Sequence, residues 1–165
     1  MTMVAKKPSD CSVEELKSFK GLVLAGGEVD ATGLEGRIKA VMRLVFHYGD
    51  NQDLAGIAAL KVPNDSYKNK IFTRAECPEK AKDFPFELGW VFVVEKYRGQ
   101  GLSRALAEEA LRFSEGKNVF ATTRVDNCPM CRTNTRLGFK RSGNPYRTMR
   151  KGRSYFLSLF LRCSR

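Results

Sequence analysis

The chain has 165 residues, 42% of them hydrophobic and 28% charged, which is the size and polarity of one domain, residues 1–165, around one core. That composition excludes wholesale disorder, no apolar run reaches the roughly 20 residues of a bilayer span, and the lysines near Met1 precede no apolar signal-peptide segment. The net charge of +11 is uneven: residues 1–97 hold 14 basic and 14 acidic side chains, residues 98–165 hold 15 basic and 4 acidic. That asymmetry points to an anionic partner, whether a phosphorylated cofactor, a nucleic acid or a membrane surface. Five scattered cysteines, an odd number, argue against a secreted disulfide framework and for a reducing, cytoplasmic compartment.

In chain order, Ser12 to Ala25 reads as a helix, with Ser12 and Glu15 spaced as a capping box and Gly26-Gly27 as its stop. Thr32 to Met42 reads as a second helix, weakened by Gly33 and Gly36. Arg43 to Tyr48 and Asp53 to Val62 read as strands around Gly49-Asp50-Asn51. Tyr67 to Asp83 is polar, lysine-rich and unassigned. Phe86 to Val94 is a short apolar strand expected to be buried on both faces.

Ser103 to Phe113 reads as a helix with Leu102, Leu106, Ala110 and Phe113 on one stripe. Asn118 to Val125 is a strand, and Asn127 to Leu137 a short helix with Pro129 in its first turn and Gly138 at its end. Phe139 to Ser142 and Tyr155 to Leu161 read as closing strands joined by a basic loop; Arg136 to Arg153 holds seven cations and no acid.

The most informative stretch runs from Val93 through Arg98-Gly99-Gln100-Gly101-Leu102-Ser103 into the helix. Gly99 and Gly101 let backbone approach a ligand. Amides at a helix start then converge on one point, which suits a pyrophosphate. A triphosphate-binding loop is excluded because no Gly-Lys-Ser/Thr follows, and the dinucleotide fingerprint lacks its third glycine.

This stretch resembles the Arg/Gln-x-x-Gly-x-Gly/Ala motif of the GNAT N-acetyltransferase superfamily, with Ser103 in the last position as a small residue and potential cap. Val119 to Val125, Asn127 and Leu137-Gly138-Phe139 extend the resemblance, so its motifs cover Phe86 to Phe139; the preceding part matches by element order. The resemblance implies an α/β (α+β) fold with a mixed, mostly antiparallel central sheet, splayed between its fourth and fifth strands, and helices on both faces. It implies acetyl-CoA as acyl donor in that split. Backbone groups of Phe92, Val93 and Val94 would take the pantetheine arm, residues Arg98, Gly99, Gln100, Gly101, Leu102, Ser103 and Arg104 the pyrophosphate, and Asn127 and Asn134 would be further cofactor contacts.

By the same resemblance, a small-molecule or peptide amine attacks the thioester directly. Its ammonium, with a pKa of about 10, must first lose a proton. Glu87 is the candidate base. It stands eleven residues before Arg98, where many relatives carry a carboxylate, and strand alternation places it with Gly89, Val91 and Val93. Relatives often use a tyrosine as acid for the leaving thiolate, and that position here is Asn134; Tyr146, Tyr155 or Cys131 would substitute, or the thiolate would leave unassisted. His47, the one histidine, reads as a packed or surface residue. Cys128-Pro129-Met130-Cys131 reads as a structural pair rather than a metal site, since four ligands are wanting. A nucleic-acid-directed protein using the basic C-terminal face, and a CoA-binding module without turnover, stand as alternatives. Homodimer formation fits the resemblance, and a membrane partner does not.

Overall fold

The computed structural model describes residues 1–164. Seven strands follow the order β1-β2-β3-β4-β5-β7-β6: β1 Thr2–Lys6, β2 Arg43–Tyr48, β3 Leu54–Lys61, β4 Phe86–Val93, β5 Val119–Arg124, β6 Lys140–Arg150 and β7 Arg153–Arg162. The β1–β2, β2–β3, β5–β7 and β6–β7 pairs are antiparallel, and β4–β5 is parallel. The β4–β5 ladder holds two residue pairs, Phe86↔Val119 and Glu87↔Phe120. Five helices accompany the strands: α1 Val13–Ala25, α2 Leu34–Lys39, α3 Asp65–Arg74, α4 Leu102–Arg112 and α5 Cys128–Arg136. The chain divides into two compact units, Met1–Lys61 with Leu88–Glu115, and Val62–Glu87 with the segment from Gly116 onward.

In the first unit, period-two alternation sorts β2 and β3 into two faces. Leu44, Phe46, Ile57 and Ala59 meet Phe19 and Val23 of α1 and Leu34 and Ile38 of α2 in one apolar cluster. Val45, His47 and Gly56 point the other way, to α4. A Cβ on Gly56 would lie 2.8 Å from Leu106 Cδ1, so glycine lets this helix close on the sheet. The capping box at α1 is complete: Glu15 N donates to Ser12 Oγ at 3.1 Å and Ser12 N to Glu15 Oε2 at 2.8 Å. Lys6 Nζ adds an ion pair to Glu15 at 2.6 Å, tying β1 to the start of α1. α2 is shorter than the sequence suggests because Gly33, at φ +68°, opens it in a left-handed conformation.

In the second unit, Ile71, Phe72 and Ala75 of α3 join Phe84, Phe120, Tyr146, Leu159 and Leu161 in one cluster. Phe72 packs edge-on to Phe120 with ring centroids 5.2 Å apart. α5 covers the other face of β5, where Asn134 Nδ2 donates to Thr123 Oγ1 at 2.9 Å. Helices therefore flank both sheet faces in each unit.

The structure adds to or corrects the sequence reading at four places. Thr2–Lys6, to which the sequence reading assigns no element, is an edge strand paired with β2. The unassigned segment is α3, whose start is capped by Asn64 Oδ1 accepting from Tyr67 N at 2.8 Å, followed by a 3-10 turn over Pro78–Asp83. β4 is half-buried from Gly89 to Phe92, and Trp90, at φ +52°, breaks its alternation. The parity count that placed Glu87 with Val91 and Val93 fails at that bulge. Finally, the basic loop is a long hairpin. Lys151 and Gly152, both at positive φ, form its two-residue turn between the paired Arg150 and Arg153. Its bulge between Ser142 and Tyr146 docks on the end of α3, where Asn144 N donates to Ala75 O at 3.0 Å and a Cβ on Gly143 would occupy the Ala75 carbonyl. Among the described residues no helix is long and apolar enough to cross a membrane.

Candidate active site

The glycine loop begins where β4 ends. A 3-10 turn over Glu95–Tyr97 redirects the chain, and Tyr97 fastens it: its hydroxyl donates to Asp53 at 2.7 Å, and Lys96 reaches the same carboxylate. Lys96 first, then Tyr97, hold the Asp53 carboxyl below its ordinary pKa. Gly49 is a glycine for this anchor, because a Cβ there would stand on the Tyr97 hydroxyl. None of these three side chains carries a motif in the sequence.

Gly99 and Gly101 follow at φ +78° and +76°. A Cβ on either would meet nothing within 4 Å, so the left-handed backbone faces open space there. Gly101 is the N-cap of α4, and the first intrahelical bond runs from Ala105 N to Gly101 O at 3.2 Å. The amides of Leu102, Ser103 and Arg104 thus form the uncapped first turn, with the positive end of the helix behind them. Ser103 is inside the helix and caps nothing, contrary to the sequence expectation. The two arginines are partly engaged: Arg98 Nε donates to Val93 O at 3.1 Å, and Arg104 Nε pairs with Glu108 at 2.7 Å. Gln100 is exposed. The arrangement is an anion-binding end made of backbone more than of side-chain charge.

At the end of β4, the N–H of Val94, just past the strand, donates to Ala55 O at 2.9 Å, and Phe92 O lies 2.9 Å from where a Cβ of Gly56 would be, so both turn to β3. Alternation leaves Val93 with its backbone groups on the opposite edge.

Glu87 lies in the second unit. It is 3% exposed, in register with Phe120, and accepts from the Tyr67 hydroxyl at 3.1 Å. Tyr67 leaves 42% of its surface exposed while its hydroxyl ends on the buried carboxylate. Burial and the Glu87 charge push the Tyr67 phenol far above its ordinary pKa. They act likewise on Tyr146, with Arg74 pulling the other way. The Glu87 carboxyl group thus lies beside two phenols that stay protonated at neutral pH. Tyr67 was not identified from sequence, although the Asn64 cap and the apolar Ile71, Phe72 and Ala75 mark its helix.

The two asparagines have different partners: one caps α5 and the other ties it to β5. Asn127 is its N-cap, accepting from Met130 N at 3.2 Å. Asn134 is fully buried on the α5 face of β5, while Glu87 sits with Phe120 on the α3 face, so the two are not brought together. Cys131 is buried and its thiol reaches Arg124 O at 3.6 Å; Cys128 is exposed. Among the described residues no three His, Cys, Asp or Glu side chains group as metal ligands.

His47 is buried and neither ring nitrogen has a hydrogen-bond partner. Burial first, then the positive N-terminus, lower its pKa. Below the ordinary imidazole value of about 6.5 the unfolded chain takes up a proton that the native chain refuses. Stability is therefore full above that pH and falls as pH drops toward the lowered native value. Urea unfolding between about pH 7 and pH 5 should show this slope, and His47→Phe should flatten it; an unchanged slope would assign it to other groups.

A family model described as "Acetyltransferase (GNAT) family" matches residues 33–139. No curated protein matches the sequence significantly. Among solved structures, an acyl-CoA N-acyltransferase from Pseudomonas aeruginosa superposes with a TM-score of 0.69 at 17% identity, over 98% of this chain and 99% of that one. Arabidopsis thaliana NAA60 in complex with acetyl-CoA gives 0.71 at 15% identity, over 98% and 99%. The ribosomal-protein-alanine N-acetyltransferase of Brucella melitensis gives 0.68 at 17%, over 99% of each chain. With the family model covering most of its length, with the order of its strands and with a glycine loop opening α4, this chain belongs to the acetyltransferase (GNAT) family.

Proposed function

We propose that the chain acts as a single acetyl-CoA-dependent N-acetyltransferase domain on a primary amine, in a reducing, cytoplasmic setting in keeping with its odd cysteine count. The observation that carries this reading is the first turn of α4. Two left-handed glycines leave open space over uncapped amides, in a chain of this family, and such an end fits a pyrophosphate. Gly99, Gln100, Gly101, Leu102, Ser103 and Arg104 would hold that group, and the Val93 backbone would take the pantetheine arm. Bound there, acetyl-CoA supplies an activated acetyl thioester.

The residues of the chain then act on the acceptor. Glu87 accepts a proton from the ammonium, so that the neutral amine is the species present for attack. Tyr67 holds the Glu87 carboxylate in place through its 3.1 Å hydrogen bond. Asn134 donates to Thr123 and is no substitute for a tyrosine acid. Burial and the Glu87 charge hold the proton on Tyr146, so the thiolate leaves without a donor from this cluster. Incubation with acetyl-CoA and a panel of amines should release thiol in proportion to acceptor. Thiol release that is independent of every amine would leave a CoA-binding module without transfer.

A further inference from the structure

The α3 helix carries more than Tyr67. Residues spaced i, i+3 and i+7 share one helix face, so Tyr67, Lys70 and Arg74 lie along one stripe. Beside it, the β6 strand contributes Arg147, Thr148 and Met149 to an open groove of about 550 Å³ whose other walls are Lys70 and Arg74. No acid lines that groove. Lys70, Arg74, Arg147 and Arg150 form no ion pair with a carboxylate among the described residues. Arg147 is exposed and held by its Nε, which donates to Ser154 Oγ at 2.6 Å. Arg74 is close enough to Tyr146, and Arg150 to Tyr67, to act on each phenol's charge. Lys70, Arg74 and Arg147 thus line the groove, and Arg74 and Arg150 act on the two phenols beside Glu87.

We infer that the acceptor is an amine that also carries an acidic group, and that Arg74 and Arg147, with Lys70 and Arg150 around them, bind that group while the amine meets Glu87. The inference rests on the acetyltransferase reading and names its substrate class: an amino acid, or a peptide with an acidic residue near its N-terminus. Groove size favours one small anion over a polymer. A nucleic acid would bring several phosphates and call for aromatic platforms among the cations, whereas Phe156, opposite Arg147 and 48% exposed, is the one exposed aromatic of the hairpin.

Matched acceptors separate the outcomes: free amino acids against their amides, and peptides with aspartate at the second position against the asparagine forms. The acidic member of a pair should be favoured about tenfold to a hundredfold in kcat/KM, since hydrogen bonds to charged groups are worth roughly 1.5–3 kcal/mol. Which pair shows the larger preference tells free amino acid from peptide. Arg74→Gln and Arg147→Gln should each pull the ratio toward one through KM, while Lys39→Gln, at a residue that does not line the groove, keeps it. Equal rates within each wild-type pair, or a ratio that survives both variants, would overturn the inference even with acetyl transfer intact. If no amine is acetylated, the transfer reading fails separately. Calorimetry of the same pairs then decides: tighter binding of the acidic member, lost in Arg74→Gln, upholds the inference, and equal binding overturns it. Tight tRNA or duplex binding at about 0.15 M salt, lost in the same variants, would also overturn it.

Discussion

Replacing Glu87 by glutamine should lower kcat by about a hundredfold or more, the range removed with a positioned general base, and leave acetyl-CoA affinity within about twofold of wild type. The substitution is nearly isosteric. The glutamine carbonyl still accepts from the Tyr67 hydroxyl, so the 3.1 Å contact and the packing beside Phe120 survive. What is lost is the ability to take a proton. The rise of activity with pH on the acid side should therefore disappear in the variant, while the affinity for the donor, assigned in the proposed function to the loop before α4, should not move. A variant that keeps both its rate and its acid limb would make Glu87 a structural carboxylate.

Gly101→Val acts on the other half of the reaction. The glycine is the left-handed N-cap of α4, and a side chain there would project into open space over the first-turn amides. Two consequences should separate. The left-handed backbone, unfavourable for a β-branched residue by at least about 1–2 kcal/mol, lowers stability modestly. Obstruction of two amide–phosphate contacts, each worth roughly 1.5–3 kcal/mol, weakens acetyl-CoA binding by about a hundredfold or more. Calorimetry on the folded variant reads the second effect, and thermal unfolding reads the first. A folded Gly101→Val protein that binds acetyl-CoA as wild type does would remove the glycine loop from the cofactor site.

Residues with a local signal were legible in the sequence, and residues positioned by distant chain were not. Ser12 and Glu15, Gly101 at the head of α4, and Asn127 at the head of α5 announced their helices because capping is a matter of three or four consecutive residues. β2 and the start of β4 were equally plain from their apolar runs. Tyr67 was hidden because Pro63-Asn64-Asp65 reads as a turn, yet Asn64 caps a helix whose apolar face is narrow and whose surface is lysine-rich. The closing strands were legible, but their continuation through Arg147 and Arg150 was hidden because β6 is mostly polar, and only Lys151-Gly152 marks the turn. Trp90 shows a third limit: a positive φ at a bulky residue has no sequence signature, and it undoes any face assignment counted across it. The engagement of Arg98 and Arg104 by Val93 O and Glu108 is likewise a matter of side-chain direction, not of spacing alone.

Transfer of a labelled acetyl group tests the central claim most directly. Acetyl-CoA labelled in its acetyl carbonyl is incubated with the intact chain and an amine, and the product is analysed by mass spectrometry and by its resistance to hydroxylamine. The account predicts label on the acceptor nitrogen as a hydroxylamine-stable amide, in amounts equal to the thiol released and strongly reduced in Glu87→Gln. Label recovered only as free acetate, or retained on acetyl-CoA while the donor binds normally, would contradict it.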